Sequence, residues 1–573
     1  MKNIKKYKLL CLGAFTSVLS LTSCEDSLDT LPSDRTDASV ILSDPKLVEN
    51  LLFKTYNSTE TWGYNNSIWW SRRYNLENGS FEAKFNFRDL DRLRLRAGWT
   101  PTNIGDFRLK WENYWTYIRE ANDFIEKVNE SPAMQEDPDG VAALVAEMRF
   151  LRANTYFKLI NLWGGVPIIQ QALGLDDNYD LVRNSYEECV DFIVSELDQA
   201  IVVLPETRPD DEFGRATKLA AMAVKSRVLL YAASNLHDSS TIPNGPLYDY
   251  TKPTKWQDAA NAAKDIIDAV GDRDLISVSN AQEYHNLFLS VNQDLLFGRA
   301  FGGTVYGFGT DVNSLPDQTQ SPSGYGGWAL SSPTHNFALE FNMADGSTTD
   351  APATTYDPTN PNENREIRYY ANLNFNGAIF RGRPVDYALS DDPDTHPHGL
   401  DSPEGLGNVL HSSKTGYNMK KFLNENVGLT DPTPGRPYIL YRLAEVYLNY
   451  AEAQYHLGNE PLARTYVNKV ATRALLPEIT SSGSTLLEAI KRERRVELCF
   501  EGHNFFDERR WMNTENLGFD IKGLKWKKDA SGNVSHEEYT VVTRPWFERH
   551  YYLPIPQEEM NKIPSFEQNF GYE

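Results

Sequence analysis

The chain has 573 residues and a mass of 65.1 kDa, with 40% apolar and 24% charged residues. This is ordinary globular composition, and it excludes collagen-like, low-complexity and wholly disordered classes. Mean hydropathy is −0.51 and only the extreme N-terminus carries a sustained apolar run, which excludes a polytopic membrane protein, while a net charge of −22 without a long Lys/Arg run argues against nucleic acid as a partner.

In chain order, residues 1–23 read as an export signal. Lys2, Lys5, Lys6 and Lys8 precede the apolar stretch Leu9 to Leu21, about 13 residues and too short to cross a ~30 Å hydrocarbon core as a helix. The stretch ends in Leu21-Thr22-Ser23-Cys24, which resembles a bacterial lipobox, with Cys24 as the lipidated first residue of the mature protein. Attached acyl chains contribute ~0.8 kcal/mol per buried CH₂, so several chains give stable anchoring. Cleavage there lowers the basic residues from 57 to 53 against 79 acids, a mature charge of −26. Residues 24–38, rich in Asp, Ser, Thr and Pro, read as a flexible lipidated tether.

Residues 39–573 read as one domain, with a helical scaffold over about 39–240 and 436–573 and a loop-rich ligand-face region over about 241–435. Trp111, Tyr114, Trp115, Ile118, Asn122, Ile125 and Val128 mark one helix face; Val141, Leu144, Val145, Met148 and Leu151 mark the next, running to Trp163 and stopping at Gly164-Gly165. Thr217 can cap an Ala-rich helix to about Ala233. A helical hairpin follows from Leu443, Val446, Tyr447 and Tyr450, broken at Gly458-Asn459 and restarted at Pro461, similar to a tetratricopeptide pair. Thr485 and Glu488 offer a capping box for a helix that carries Cys499. The stretch between, rich in Gly, Pro, Asn and aromatics, is expected to be irregular with short strands.

Four cysteines (Cys11, Cys24, Cys189, Cys499) form no Cys-x-x-Cys pair, which disfavours a disulfide framework and a zinc site; Cys189 and Cys499 are expected to act as small buried hydrophobes. The sequence names no cofactor; a structural Ca²⁺ is left open without an assignable ligand set, since His396, His398, Asp391, Asp392 and Asp394 lack cation-loop spacing. No nucleophile elbow, Walker loop, zincin motif or dinucleotide fingerprint is present, so no catalytic residue is named and no enzyme is expected.

Aromatics carry the binding reading. Phe53, Tyr56, Trp62, Tyr64, Trp69, Trp70 and Tyr74 crowd one stretch, interleaved with Asn65, Asn66, Arg72 and Arg73. Flat rings with amide and guanidinium neighbours suit the C–H faces and hydroxyl rim of sugars. The carbohydrate-binding candidates are Trp69, Trp70, Tyr74, Trp99, Tyr306, Tyr325 and Trp328. Trp99 sits in a Gly-Trp-Thr-Pro turn that looks hard to bury, and Tyr325-Gly326-Gly327-Trp328 offers two rings on a Gly frame. Trp111, Trp115 and Trp163 are expected in the core. Arg492, Arg494, Arg495, Arg509 and Arg510, alternating with Glu493, Glu497, Glu501 and Glu508, are expected to form an intramolecular ion-pair network.

The chain as a whole resembles the SusD/RagB family of outer-membrane nutrient-binding lipoproteins. The resemblance lies in the Cys24 lipobox, WENYWTYIREANDF (Trp111 to Phe124), EMRFLRANTYFKLINLWGGVPI (Glu147 to Ile168), GRATKLAAMAVKSRVLLYAA (Gly214 to Ala233), TGYNMKKF (Thr415 to Phe422), YRLAEVYLNYAEA (Tyr441 to Ala453), KRERRVELCFEGHNFFDERRW (Lys491 to Trp511) and YYLPIPQEEM (Tyr551 to Met560). It implies a mainly α SusD-like fold with divergent tetratricopeptide-like helix pairs. It implies too a surface-exposed protein, lipid-anchored in the outer membrane, that captures oligosaccharide or polysaccharide for a SusC-like TonB-dependent transporter. The loops over about 240–410 match the family poorly, so the ligand stays unnamed: a neutral glycan is favoured, and peptide capture, a surface glycoside hydrolase and a protein-binding adaptor stand as alternatives.

Overall fold

The computed structural model describes residues 38–58, 76–86, 98–174, 176–300, 315–405, 410–431 and 436–573. The principal helices are α1 (Pro45–Thr55), α2 (Phe107–Asn129), α3 (Pro138–Trp163), α4 (Tyr186–Val203), α5 (Lys218–Ala233), α6 (Lys255–Ala269), α7 (Leu315–Gln320), α8 (Leu443–His456), α9 (Glu460–Arg473), α10 (Gly483–Glu497) and α11 (His503–Arg510). The strands are β1 (Ala83–Phe85), β2 (Leu295–Ala300), β3 (Ser331–Pro333), β4 (Leu373–Phe375), β5 (Ile379–Phe380), β6 (Arg383–Pro384), β7 (Leu389–Ser390), β8 (Tyr417–Met419), β9 (Pro437–Arg442), β10 (Phe519–Lys528) and β11 (Val534–Arg544). Helix dominates and the strands pair in twos, except for a three-stranded sheet of order β11-β10-β7.

Several helices start and stop where the sequence supplies a cap or a breaker. Asp137 accepts from the Gly140 N–H to open α3, with Pro138 in the first turn and Gly164 closing it. Thr217 caps Ala220 at the head of α5, as its spacing predicts. Gly458 and Asn459 separate α8 from α9, and Pro461 sits in the first turn of α9. One core is built from these helices: Trp111, Tyr114, Ile118 and Val128 of α2 pack with Leu151, Tyr156 and Trp163 of α3, and the small residues of α5 admit α6 and α8 closely. A second core gathers Phe81, Phe337, Phe341, Tyr369, Leu373, Tyr417 and Trp526 beneath the short strands.

Three local expectations change. The region 241–435 holds a regular 15-residue helix, α6, whose Ala259, Ala260, Ala262 and Ala263 are buried against the first core. Helix α10 begins at Gly483 with Ser482 as its uncapped flank, so Thr485 lies inside it; Glu460 Oε1 accepts from the Gly483 N–H at 3.0 Å and fixes the start from another helix. It ends at Glu497, leaving Cys499 just beyond, buried and accepting from Asn372 Nδ2 at 3.3 Å. The C-terminal block also contains the long β10–β11 hairpin, antiparallel from Phe519↔Arg544 to Lys528↔Val534.

The expected arginine network is present and extends further than the C-terminal helices. Arg494 meets Asp507 (2.7 Å), Arg495 meets Glu508 (2.6 Å), and Arg510 meets both Glu452 (2.6 Å) and Asp507 (2.7 Å). Glu497 gathers Arg442 (2.6 Å), Arg368 (3.1 Å) and Arg473; Glu501 takes Arg442 (2.8 Å) and Lys421 (2.7 Å). Arg368 and Lys421 reach in from the segments of the second core, so this buried cluster joins the two. Arg509 departs from the pattern: its guanidinium lies 3.7 Å from the Phe505 ring centroid and donates to the Phe505 carbonyl at 2.6 Å.

Candidate functional site

The two candidate rings on the Gly frame fall in a tightly knit loop. After α7 the chain doubles back: Trp328 N donates to Gln318 O (2.9 Å), Leu330 N to Thr319 O (2.9 Å) and Ala329 N to Ser321 O (3.1 Å). The Gln318 amide then donates to Gly326 O (2.9 Å). Gly326 takes a left-handed conformation at φ +85, and a Cβ at Gly327 would sit 2.1 Å from Ser321 O, so neither position accepts another residue without moving the loop. Asp401, fully buried, ties the loop from outside: it accepts from Gly324 N (3.1 Å), from Arg383 (2.8 Å) and from Asp386 N (3.0 Å).

Within this frame the two rings have different jobs. The Tyr325 hydroxyl is shared between Phe380 O (2.7 Å) and Arg383 O (2.9 Å), its ring meets Phe380 edge-on, and the Arg383 guanidinium lies 3.6 Å over its face. Burial pushes its phenol up from the ordinary value. Tyr325 is therefore a partly buried anchor of the loop. Trp328 is partly exposed and near-parallel to His411, with ring centroids 6.1 Å apart at 24°. Desolvation lowers the His411 pKa, which favours a neutral, flat partner for the indole. Nothing in the sequence pointed to His411, because the stack joins residues 83 positions apart.

Trp99 is a correction. It is 2% exposed, with Phe107 at 5.9 Å, His550 at 4.9 Å and Arg509 at 5.9 Å around its ring, so it belongs to the first core and presents no face to a ligand. Its turn is closed by a C-terminal segment that local sequence cannot foresee. Trp69, Trp70, Tyr74, Tyr306 and the lipidation candidate Cys24 lie outside the described residues. Described residues from elsewhere in the chain meet the Trp328 loop: Asn78 Nδ2 donates to Ser331 Oγ (3.0 Å), Asn86 N to Leu330 O (2.9 Å), and Arg436 to Asp317 of α7 (2.7 Å).

Three described acids on the loop or close to it in the fold have partners. Asp317 holds Arg436 and the Asn424 N–H (2.7 Å), Asp401 holds Arg383, and Glu425 pairs with Lys420 (3.1 Å). Burial raises the Asp317 pKa, and Arg436 opposes that rise. His398 Nδ1 accepts from Ser390 N (3.0 Å), and His396 lies against Gly532. Among the described residues no three His, Cys, Asp or Glu side chains converge as a metal site, and no helix is long and apolar enough to cross a membrane.

Comparison with known proteins gives one consistent result. Residues 301–572 match the sequence model of the family described as "SusD family", and residues 27–230 match that described as "Starch-binding associating with outer membrane". A SusD-like protein of Bacteroides ovatus is 25% identical over 589 aligned positions, covering 98% of this chain and 94% of its own. The starch-binding protein SusD of Bacteroides thetaiotaomicron is 23% identical, with 99% of both chains covered. The crystal structure of a SusD-like protein from Bacteroides fragilis superposes with a TM-score of 0.75 at 26% identity, over 94% of this chain and 99% of that one.

Proposed function

Because the chain belongs to the SusD/RagB family, whose members are carbohydrate-binding at the family level, we propose that it is a non-catalytic, cell-surface glycan-binding lipoprotein that passes its ligand to a SusC-like TonB-dependent transporter. The observation that carries this reading is the Trp328–His411 pair on a loop fixed before any ligand arrives. An indole face held rigid loses little freedom on stacking against a sugar ring, so more of the contact energy is left for affinity. Tyr325 and Arg383 hold the loop in place, and the other candidate rings, Trp69, Trp70, Tyr74 and Tyr306, are proposed from the sequence alone. Anchoring through Cys24 at the outer membrane fits the N-terminal address and the family description.

The test is calorimetric titration of residues 25–573 with a panel of neutral and acidic glycans, beside Trp328→Ala. Saturable binding to one glycan class, weakened about tenfold or more by the truncation, is the expected result. A folded protein that binds no glycan, or a Trp328→Ala variant that binds as wild type, would remove the platform from the site.

A further inference from the structure

Away from the Trp328 loop, on the first core, α2 and the segment after α3 flank a half-open apolar cleft of about 180 Å³. Its floor is the indoles of Trp111 and Trp115, 5.6 Å apart at 68°, and its walls include Ile169, Leu181 and Phe566. The wall is propped open. Asn122 Nδ2 donates to Ile169 O (2.9 Å) and Gln171 O (3.0 Å), and Tyr156 Oη accepts from Ile169 N (2.8 Å). Asn122 is itself held by Arg152 (2.7 Å), which pairs with the buried Glu196. On the far side Ser565 donates to Leu181 O (2.7 Å). Collapse of the cleft would break these partly buried bonds, so an unfilled apolar space persists where close packing would otherwise close it.

Its size and rim define what it takes. An apolar cavity of about 150 Å³ accommodates a benzene ring, so this one fits a single aromatic ring with a short chain. Two charged side chains reach the rim, Arg119 and Glu559. Glu559 is paired with Lys562 (2.8 Å), whereas Arg119 makes no ion pair among the described residues. The overall charge of −22 opposes an anion at long range, but screening beyond about 8 Å at physiological salt leaves the local guanidinium decisive.

We infer that this cavity is a binding site for a single-ring aromatic carboxylate, the ring lying against the Trp111–Trp115 floor and the carboxylate meeting Arg119. The site is separate from the Trp328 loop, whose Tyr325 packs on the second core, and it stands or falls independently of glycan binding.

The experiment is titration calorimetry of the protein from Glu25 onward, which keeps every described residue, with 3-phenylpropionate and its neutral counterpart 3-phenyl-1-propanol. Wild type should bind the acid saturably and at least about fivefold more tightly than the alcohol. Arg119→Ala should erase that preference while leaving the alcohol's affinity unchanged. Leu181→Trp, which fills the cavity, should weaken both ligands about tenfold or more; Leu173→Trp does the same from the more exposed wall should the first variant fail to fold. Far-UV circular dichroism confirms the fold of each variant. No saturable binding of either probe, or folded Trp variants that bind as wild type, overturns the site. An alcohol bound as tightly as the acid overturns the carboxylate assignment.

Discussion

At the scale of single residues, burial decides what each polar group does. Glu82 lies next to β1, accepts from Phe500 N (2.9 Å) and Ser80 Oγ (3.2 Å), and burial pushes its carboxyl up from 4.5 to about 7. Between those values the folded chain keeps a proton that the unfolded chain has released. Stability therefore falls as pH rises through this window, by about 3 kcal/mol in total. Buried histidines such as His237 and His503, whose pKa values are lowered by desolvation, push the whole profile the other way, so the readable quantity is the difference between wild type and Glu82→Gln. Urea midpoints at pH 5 and pH 8 should show wild type losing stability relative to the variant at the higher pH; parallel profiles would mean that Glu82 is ionised throughout. Glu452 has the opposite sign. Burial raises its carboxyl, but Arg510 outweighs that and holds it at about 2, so its stabilisation is present above pH 4.5 and lost as pH falls toward 2.

At the scale of elements, the loop that carries Trp328 should be sensitive to single atoms. Gly327→Ala places a Cβ 2.1 Å from Ser321 O, and relieving that overlap means moving the return strand of the loop, at a cost of about 1–3 kcal/mol. Glycan titration should show affinity falling with Gly327→Ala although no ligand-facing group has changed; an unchanged affinity would show that the loop adapts and that its rigidity contributes nothing. The same contrast explains what the sequence made legible. Helix α2 was readable because its buried positions recur at three and four residues, α3 and α5 because Asp137 and Thr217 cap them locally, and the α8–α9 pair because Gly458-Asn459 and Pro461 mark its break and restart. The start of α10 was misplaced because its anchor is Glu460, on a different helix. The β10–β11 hairpin escaped because a register shift between Ile521 and Lys522 spaces the buried residues Ile521, Leu524 and Trp526 unevenly, and lysines fill the gaps. In the site, Trp328 announced itself through its glycine frame, whereas His411 and the burial of Trp99 depend on contacts far along the chain.

For the whole molecule, the question is what makes two cores unfold as one. The buried residues fall into two separate apolar cores, and among the described residues a buried cluster around Arg442, Glu497 and Glu501, with Arg368 and Lys421 contributed from the second core, links them where β9 and residues 496–500 run through both. Arg442 is central: at the end of β9 and the start of α8 it donates to Glu497, to Glu501 and to the Glu497 carbonyl (2.7 Å). Removing one member of such a cluster leaves buried carboxylates short of countercharge, which costs about 3–5 kcal/mol, although a cluster rebuilt entirely from apolar groups would carry no such penalty. Arg442→Met should therefore do more than lower stability. In wild type, urea unfolding followed by far-UV circular dichroism should coincide with the loss of hydrogen-exchange protection in peptides from both α5 and residues 367–423. In the variant, residues 367–423 should open at lower urea while α5 stays protected, because the link and not either core has been weakened. If the variant still unfolds in one transition with its unfolding free energy lowered by less than about 1 kcal/mol, the cores are coupled through contacts other than the ionic cluster, which then serves only to keep its own charges satisfied.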